Sequence, residues 1–191
     1  MISAILLAAG QSKRMNGENK LIKKFQGVPL ISHSVKNILD TSIINELIVV
    51  VGHQKEIIKE SIDDNNRKIK FVFNKDFKSG IASSIKTGII NLSAKTEFFF
   101  ICLGDMPLIK SNVYNQLIKC KDAKKIIAPF YKGQQGNPVL FSISLKNEIM
   151  SIKGDIGSKE IIKINNDKLL KVEMDEKSIT KDLNTLASFD F

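Results

Sequence analysis

Short apolar runs alternate along this chain with segments whose apolar residues recur at helical spacing. The runs are rich in Ile, Leu, Val and Phe and have few polar interruptions, which is typical of strands buried on both faces of a parallel sheet. Strands are predicted at 2–8, 46–51, 70–74, 98–103, 125–130 and 137–141. Helices are predicted from Pro29 to about Leu39, over 54–64, from Gly80 to about Leu92, and near 111–121 and 144–151.

The steady order of strand and helix predicts an α/β fold with a mainly parallel central sheet. Because crossovers between parallel strands are right-handed and sequential, helices are expected on both faces of that sheet, which gives three layers. No internal repeat, linker or low-complexity block interrupts the 191 residues. We therefore expect a single domain over residues 1–191.

The composition narrows the classes of function. The chain carries 29 basic and 20 acidic side chains, a net charge of +9, which suits a polyphosphate or another polyanionic ligand. The lysines are spread along the chain, so a general bias of composition is an open alternative. A nucleic-acid-binding surface would interleave cations with exposed aromatic residues, whereas most of the 11 Phe lie in apolar runs and Trp is absent. No nucleic acid partner is expected.

Cysteine usage and hydropathy bear on location. Cys102 and Cys120 give neither a disulfide framework nor a zinc-binding spacing, so reduced thiols in a cytoplasmic protein are expected. No apolar run approaches the ~20 residues that span a bilayer. A signal peptide would carry basic residues before its apolar region, and none precede the apolar residues at 2–9. We therefore interpret this segment as a core strand. We expect no membrane partner.

The end of the first strand carries small residues. Ala8, Ala9 and Gly10 would let a ligand lie against the backbone, and the turn at Gln11 and Ser12 can present N–H groups to phosphate oxygens. The spacing matches neither of the phosphate-binding patterns GxxxxGK[ST] and GxGxxG.

Two cations follow in the same loop. Arg14 supplies a planar fork that suits phosphate, and Lys20 supplies a mobile point charge. By spacing alone, a solvated basic loop is an equally good interpretation.

Further candidates stand at other strand ends, where ligands of open α/β sheets bind. Asp105 follows an apolar strand and Gly104, a costly place for a carboxylate unless it faces solvent, a ligand or a metal. Mg²⁺ needs only one or two protein carboxylates when phosphate oxygens complete its shell, although a turn aspartate is the alternative. Gly80, Ser83 and Ser84 begin a helix, where N–H groups and hydroxyls can take a nucleotide or serve as ordinary caps.

These motifs together resemble a known family. The stretch LAAGQSKRMNGENK at 7–20 is similar to the LAAGxGxRMGxxK signature of nucleotidyltransferases with a Rossmann-like, GT-A-like fold. The agreement continues through GVPLI, VVGH, SGIASSI, GDMP, GNPVLF and GDIGSK, at 27–31, 50–53, 79–85, 104–107, 136–141 and 154–159. The last two blocks resemble the molybdenum cofactor cytidylyltransferase branch of the MobA-like NTP transferase family.

The resemblance implies roles for named residues. Asp105 would hold Mg²⁺, and the second metal ligand would be Asn184 or Asp182, since Asn184 stands where the family usually has Asp. Arg14, Lys20 and Asp105 would be catalytic. Nucleotide contacts are implied for Ala8, Ala9, Gly10, Gln11, Ser12, Arg14, Lys20, Gly52, Gly80, Ser83, Ser84 and Gly104. Acceptor contacts are implied for Asn137, Asp155 and Lys159, although Asp155 is equally consistent with a helix cap.

The implied reaction is transfer of CMP from CTP to molybdopterin, which releases pyrophosphate, and a molybdenum hydroxylase apoenzyme would receive the product. Rival activities within the class are transfer of GMP to molybdopterin, or of CMP to a sugar or isoprenoid phosphate. An NAD-dependent oxidoreductase is the more distant alternative. The missing GxGxxG motif and the lack of an acidic residue closing the strand at 49–51 argue against it.

Overall fold

The computed structural model describes residues 1–12, 19–62 and 66–183. The strands are β1 (Ile2–Ala8), β2 (Lys24–Phe25), β3 (Val28–Pro29), β4 (Ile44–Val51), β5 (Ile69–Phe73), β6 (Phe98–Leu103), β7 (Ile126–Tyr131), β8 (Gln134–Gln135), β9 (Val139–Ser142) and β10 (Leu169–Glu173). The α-helices are α1 (Leu30–Leu39), α2 (Lys55–Glu60), α3 (Ile81–Ile90), α4 (Ser111–Lys119), α5 (Lys146–Met150) and α6 (Ser158–Ile164).

The described strands form an eight-stranded sheet in the order β10-β7-β9-β6-β1-β4-β5, with the short β8 paired to β7. The strand pairs on either side of β1 are parallel, as are β4 with β5 and β10 with β7, whereas β9 runs antiparallel to both β6 and β7. The hairpin β2–β3 stands apart from this sheet. Because the chain moves from β1 to β4 on one side and later to β6 on the other, β1 marks the point where the strand order reverses.

Helices cover both faces of the sheet, and each face has its own core. Alternate side chains of β1 point to opposite faces, so Ala4 and Leu6 join one core while Ile5 joins the other. The first core is completed by α1, α2 and α4, and the second by α3, α5 and α6. The predicted α/β class, the three layers and the mainly parallel sheet are confirmed.

Several elements differ from the sequence-based prediction, and α6 and the short strands β2, β3 and β8 were not predicted at all. The helix expected over 54–64 has described helical residues only at Lys55–Glu60, and the helix after Pro29 begins at Leu30 because Pro29 pairs in β3. No strand was predicted at β10, where lysine and glutamate interrupt a half-buried edge strand. Among the described residues, no helix is long and apolar enough to cross a membrane.

Candidate active site

A cavity of about 680 Å³ lies at the carboxyl ends of β1 and β6 and beside the start of α3. This is the edge of the sheet where the strand order reverses, and parallel sheets bind their ligands there. Its described lining includes Ala9, Gly10, Gln11, Ser12, Lys20, Phe77, Lys78, Gly80, Ser84, Asp105 and Asp155. The topology therefore gathers residues from four distant parts of the sequence around one space.

The end of β1 forms one wall of this cavity. Ala9 is buried and Gly10 is exposed, and nothing within 4 Å would obstruct a Cβ at Gly10, so the space above it is open. Ser12 has a positive φ of 48°, and its hydroxyl accepts a hydrogen bond of 3.1 Å from the backbone N–H of Lys20. This bond joins the two ends of the predicted phosphate loop. Arg14 lies outside the described residues.

Lys20 and Asp105 form an ion pair across the cavity wall, and their side chains are only 15% and 18% exposed. Lys20 begins a 3-10 turn over Lys20–Ile22, which Asn19 caps by accepting a bond from the N–H of Leu21. The Nδ2 atom of Asn19 is buried, and within the described part of the chain it has no hydrogen-bond partner. A buried donor without an acceptor costs ~1–3 kcal/mol, so a site that brings an acceptor oxygen there would be stabilised.

The segment after β10 returns to Asp105. The backbone N–H of Asn137 donates to the carbonyl of Ile179, and the N–H of Leu183 donates to the carbonyl of Asp105 at 3.1 Å. Asp182 is exposed and lies one residue from this contact. Asn184, the other predicted metal ligand, lies outside the described residues.

The described residues supply few ligands for a divalent cation. Among the described residues, His, Cys, Asp and Glu nowhere form a group of three that could hold a metal by themselves. A cation at Asp105 would need oxygens from elsewhere, which is how Mg²⁺ binds when one or two carboxylates are joined by substrate phosphates. The donor set therefore fits a cation that arrives with a polyphosphate.

The start of α3 is occupied by a neighbouring loop. Gly80 has a φ of +106°, and a Cβ there would lie 2.4 Å from the carbonyl carbon of Gly154, so the two segments touch through their backbones. The N–H of Ala82 donates to the carbonyl of Gly154, and the N–H of Ile81 donates to Asp155 Oδ1 at 3.3 Å. Asp155 lines the cavity, and in this arrangement its carboxylate also contacts the first turn of α3.

Two adjacent serines of α3 have different surroundings. Asn74 is buried, and its Nδ2 donates to the hydroxyls of Ser83 and Ser84 at 2.8 and 3.0 Å. The single hydroxyl hydrogen of Ser83 is donated to the carbonyl of Gly80 at 2.8 Å or of Asp76 at 3.0 Å, so this hydroxyl is used within the loop. Ser84 lines the cavity, and within the described residues no acceptor takes its hydroxyl hydrogen. Ser84 is thus the serine placed to donate to a ligand.

Other predicted site residues lie outside the cavity lining. Ala8 is buried within β1, Gly104 is buried above β6, and a Cβ at Gly52 would collide with Phe77 and Ala9. Lys159 is exposed in the first turn of α6, and the described bond of Asn137 is the backbone one to Ile179. Three residues of this region, Asn74, Phe77 and Lys78, were not among those predicted for the site from the sequence. The signal for Asn74 that the sequence did offer was its place at the end of the alternating pattern that predicted a strand at 70–74.

Comparison with known proteins supplies the family. The family model described as the MobA-like NTP transferase domain matches residues 4–172. The chain belongs to this family. As a member of the MobA-like NTP transferase family, it is a nucleotidyltransferase, as the motif at 7–20 led us to expect.

Relatives of this MobA-like NTP transferase carry more specific names. It is 33% identical over 150 residues to a probable molybdenum cofactor guanylyltransferase of Natranaerobius thermophilus, a match covering 76% of this chain and 67% of the relative. It is 25% identical over 154 residues to a protein of the same name from Methanosarcina acetivorans, a match that covers 79% of this chain and 67% of the relative.

The fold matches the crystal structure of Rv0371c from Mycobacterium tuberculosis with a TM-score of 0.85 at 18% identity, over 99% of this chain and 96% of that one. Rv0371c has also been solved in complex with manganese, and that structure matches with a TM-score of 0.76 at 16% identity, covering 98% and 95%.

Proposed function

We propose that this chain transfers a nucleoside monophosphate from a nucleoside triphosphate to the phosphate of a molybdopterin-type acceptor, and that it transfers CMP in preference to GMP. This proposal is based mainly on the cavity. There Ser12 and Lys20, the two ends of the loop, are hydrogen-bonded to each other, and Lys20 is paired with Asp105. Hydrogen-bond donors and a cation stand there beside a carboxylate, which is the chemistry that a triphosphate with a divalent cation requires.

The reaction asks for positioning and charge neutralisation and needs no nucleophilic side chain. An oxygen of the acceptor's phosphate attacks the α-phosphorus, the bond to the bridging oxygen of the β-phosphate breaks, and pyrophosphate leaves with the electron pair. Lys20 would balance the negative charge that develops around the α-phosphate. The amides at Gly10 to Ser12, together with Arg14, would hold the departing pyrophosphate.

A divalent cation, which we propose to be Mg²⁺, would supply further neutralisation of the phosphate oxygens when bound. Asp105 is the carboxylate that would hold it, and Asp182 or Asn184 would complete the site. Lys20 would then exchange its bond to Asp105 for one to a substrate oxygen. This exchange keeps each charge paired before and after the triphosphate binds, so neither group is left uncompensated in a partly buried site.

The preference for CTP rests on Ala9. This residue is buried at the cavity wall. We expect its methyl group to narrow the space where a base would approach the backbone of β1. A narrower slot favours a one-ring pyrimidine over a purine. The guanylyl alternative is favoured by the names of the two relatives from Natranaerobius thermophilus and Methanosarcina acetivorans.

The deciding experiment is a nucleotide panel. Pyrophosphate release is measured for CTP, GTP, UTP and ATP with molybdopterin, a sugar phosphate or an isoprenoid phosphate as the acceptor. The proposal expects turnover with molybdopterin and a higher kcat/KM for CTP than for GTP. A higher value for GTP would replace the cytidylyl assignment by the guanylyl one. Turnover with another acceptor alone would overturn the acceptor assignment.

A further inference from the structure

Phe77 is an aromatic side chain in the wall of the cavity. Its side chain is half-buried, and it is the only aromatic residue among the described residues that line the cavity. The large aromatic side chains of the core, such as Phe99, Phe100 and Phe141, are fully buried instead. The ring of Phe77 contacts His53, with the ring centroids 6.3 Å apart, and Lys78 Nζ, 5.9 Å from its centroid, and it remains partly open to the cavity.

The position of Phe77 relates it to the end of β1. A Cβ at Gly52 would lie 2.7 Å from the Cβ of Phe77 and 2.8 Å from the Cβ of Ala9, so both residues meet over this glycine. Ala9 is the residue to which we assign the approach of the base. The ring and this slot therefore belong to the same corner of the cavity.

The loop that carries Phe77 is held at several points. Asn74 Oδ1 accepts a bond of 3.0 Å from the N–H of Asp76, and the same asparagine donates to Ser83 and Ser84 on α3. The carbonyl of Asp76 accepts bonds from the N–H and the hydroxyl of Ser79. Phe77 therefore projects from a turn whose backbone is already fixed, which reduces the entropy cost of binding a ligand against the ring.

We propose that the ring of Phe77 is the surface on which the base of the nucleoside triphosphate stacks. The inference rests on the proposed function and assigns one part of its site. Every base has a π-face, so an aromatic side chain adds affinity without reading the identity of the base. The choice between CTP and GTP would then depend on Ala9 and on the hydroxyl of Ser84. In this proposal Phe77 contributes affinity, whereas Ala9 and Ser84 determine selectivity.

The absence of Trp from this chain allows a direct optical test. Phe77→Trp places a single indole at the proposed stacking surface. Phe98→Trp, a matched control, places one at the start of β6, at the opposite end of the strand from Asp105. Binding of CTP or GTP should quench the fluorescence of the first variant in a saturable way and leave that of the second unchanged. Tripolyphosphate, which has no base, should compete with the nucleotides without quenching either variant.

A second variant measures affinity. Phe77→Leu keeps an apolar side chain over Gly52 but removes the π-face, and its melting temperature reports whether the fold is intact. We expect its Kd for CTP and for GTP to rise about 5- to 100-fold, the usual range for loss of one stacked base, with the inhibition constant of tripolyphosphate unchanged.

The outcomes separate the two proposals. If the wild-type protein binds no nucleoside triphosphate, the proposed function fails. If it binds them and Phe77→Trp shows no quenching, or Phe77→Leu binds them as tightly as the wild type, the stacking role is wrong while the transferase site stands. Equal weakening of tripolyphosphate and nucleotides in Phe77→Leu would assign Phe77 to the support of the phosphate loop and would also overturn the inference.

Discussion

Lys20 and Asp105 are paired through their side chains although 85 positions separate them in the sequence. The pair joins the return of the loop after β1 to the end of β6, two strands that are neighbours in the sheet. A cation that binds Asp105 must compete with the lysine ammonium for the same carboxylate. The ion pair would therefore couple the proposed metal binding to the arrival of a second anion for Lys20.

Asp105→Asn should lower turnover by at least ~10²-fold, because it removes the charge on which the proposed metal site depends. The variant should still fold, although it should melt earlier than the wild type, because the largely buried ion pair with Lys20 is lost. Steady-state rates over a titration of Mg²⁺ check this, with a thermal melt alongside. Asp122→Asn, at an 80% exposed side chain that pairs with Lys121, is the control and should turn over normally. Near-normal rates in Asp105→Asn would remove the metal role.

Lys20→Ala should lose triphosphate turnover and yet bind Mn²⁺ more tightly than the wild type when no nucleotide is present, because the competing ammonium is gone. Calorimetric titration of Mn²⁺ into both proteins measures the second effect. Lys36→Ala, which breaks an exposed pair with Asp40, should change neither quantity. Should Lys20→Ala melt much earlier and keep its kinetics, the lysine is structural.

Ala9→Gly should shift the ratio of kcat/KM for CTP and GTP toward GTP, because loss of the methyl group widens the slot for a base. The cost in stability should be ~0.5–1 kcal/mol, as an added glycine increases the freedom of the unfolded chain. The ratio is measured in the wild type and the variant under the same conditions. An unchanged ratio would show that another residue sets the choice of base.

Asn74→Ala should destabilise the fold by ~1–3 kcal/mol, because it removes the bonds of Asn74 to the N–H of Asp76 and to the hydroxyls of Ser83 and Ser84. We also expect a roughly tenfold rise in KM for the triphosphate, the factor equivalent to ~1.4 kcal/mol of lost positioning. Chemical denaturation and steady-state kinetics test the two effects. Asn91→Ala, which removes a single bond to the carbonyl of Thr87, should leave KM unchanged. Equal effects in the two variants would contradict a positioning role for Asn74.

The two cysteines should differ in reactivity. Burial raises the pKa of the Cys102 thiol to about 12, with a hydrogen bond from Tyr114 opposing this only in part, so the thiol stays protonated at pH 8 to 10. Cys120 is only half-buried. A thiol reagent at pH 8 should therefore modify Cys120 quickly and Cys102 only after denaturation. Cys120→Ser should show no fast phase, and fast labelling of that variant would contradict the burial of Cys102.

The elements that could be predicted from the sequence are those with a clear pattern of apolar residues. β1 and β6 were predicted with their observed bounds because both are apolar runs with a small residue at or just after the end, Ala8 in β1 and Gly104 after β6. β10 was missed because it lies at the sheet edge, where Lys171 and Glu173 face solvent and the pattern weakens. The single domain over 1–191 stays a prediction.

The candidate site was predictable where a motif marks a strand end and not where a contact crosses the sequence. Lys20 and Asp105 stood out by their positions, but nothing in the spacing revealed that they pair. Phe77 looks like any apolar residue in a polar stretch, and its place over Gly52 depends on how the β5–α3 connection folds. The carboxylate of Asp155 likewise meets the start of α3 only through tertiary structure.

The bond from Leu183 to Asp105 also sets an order of events during synthesis. A ribosome that has passed β6 has already produced the loop after β1, Lys20 and Asp105. It must still translate β7, β9, α6 and β10 before Leu183 can reach the carbonyl of Asp105. The half of the site that we propose to bind phosphate is therefore synthesised long before the other half. The contact of Leu183 with Asp105, beside which we propose the metal site, can therefore form only after β10 has been made, and an arrested chain would carry the motif without this contact.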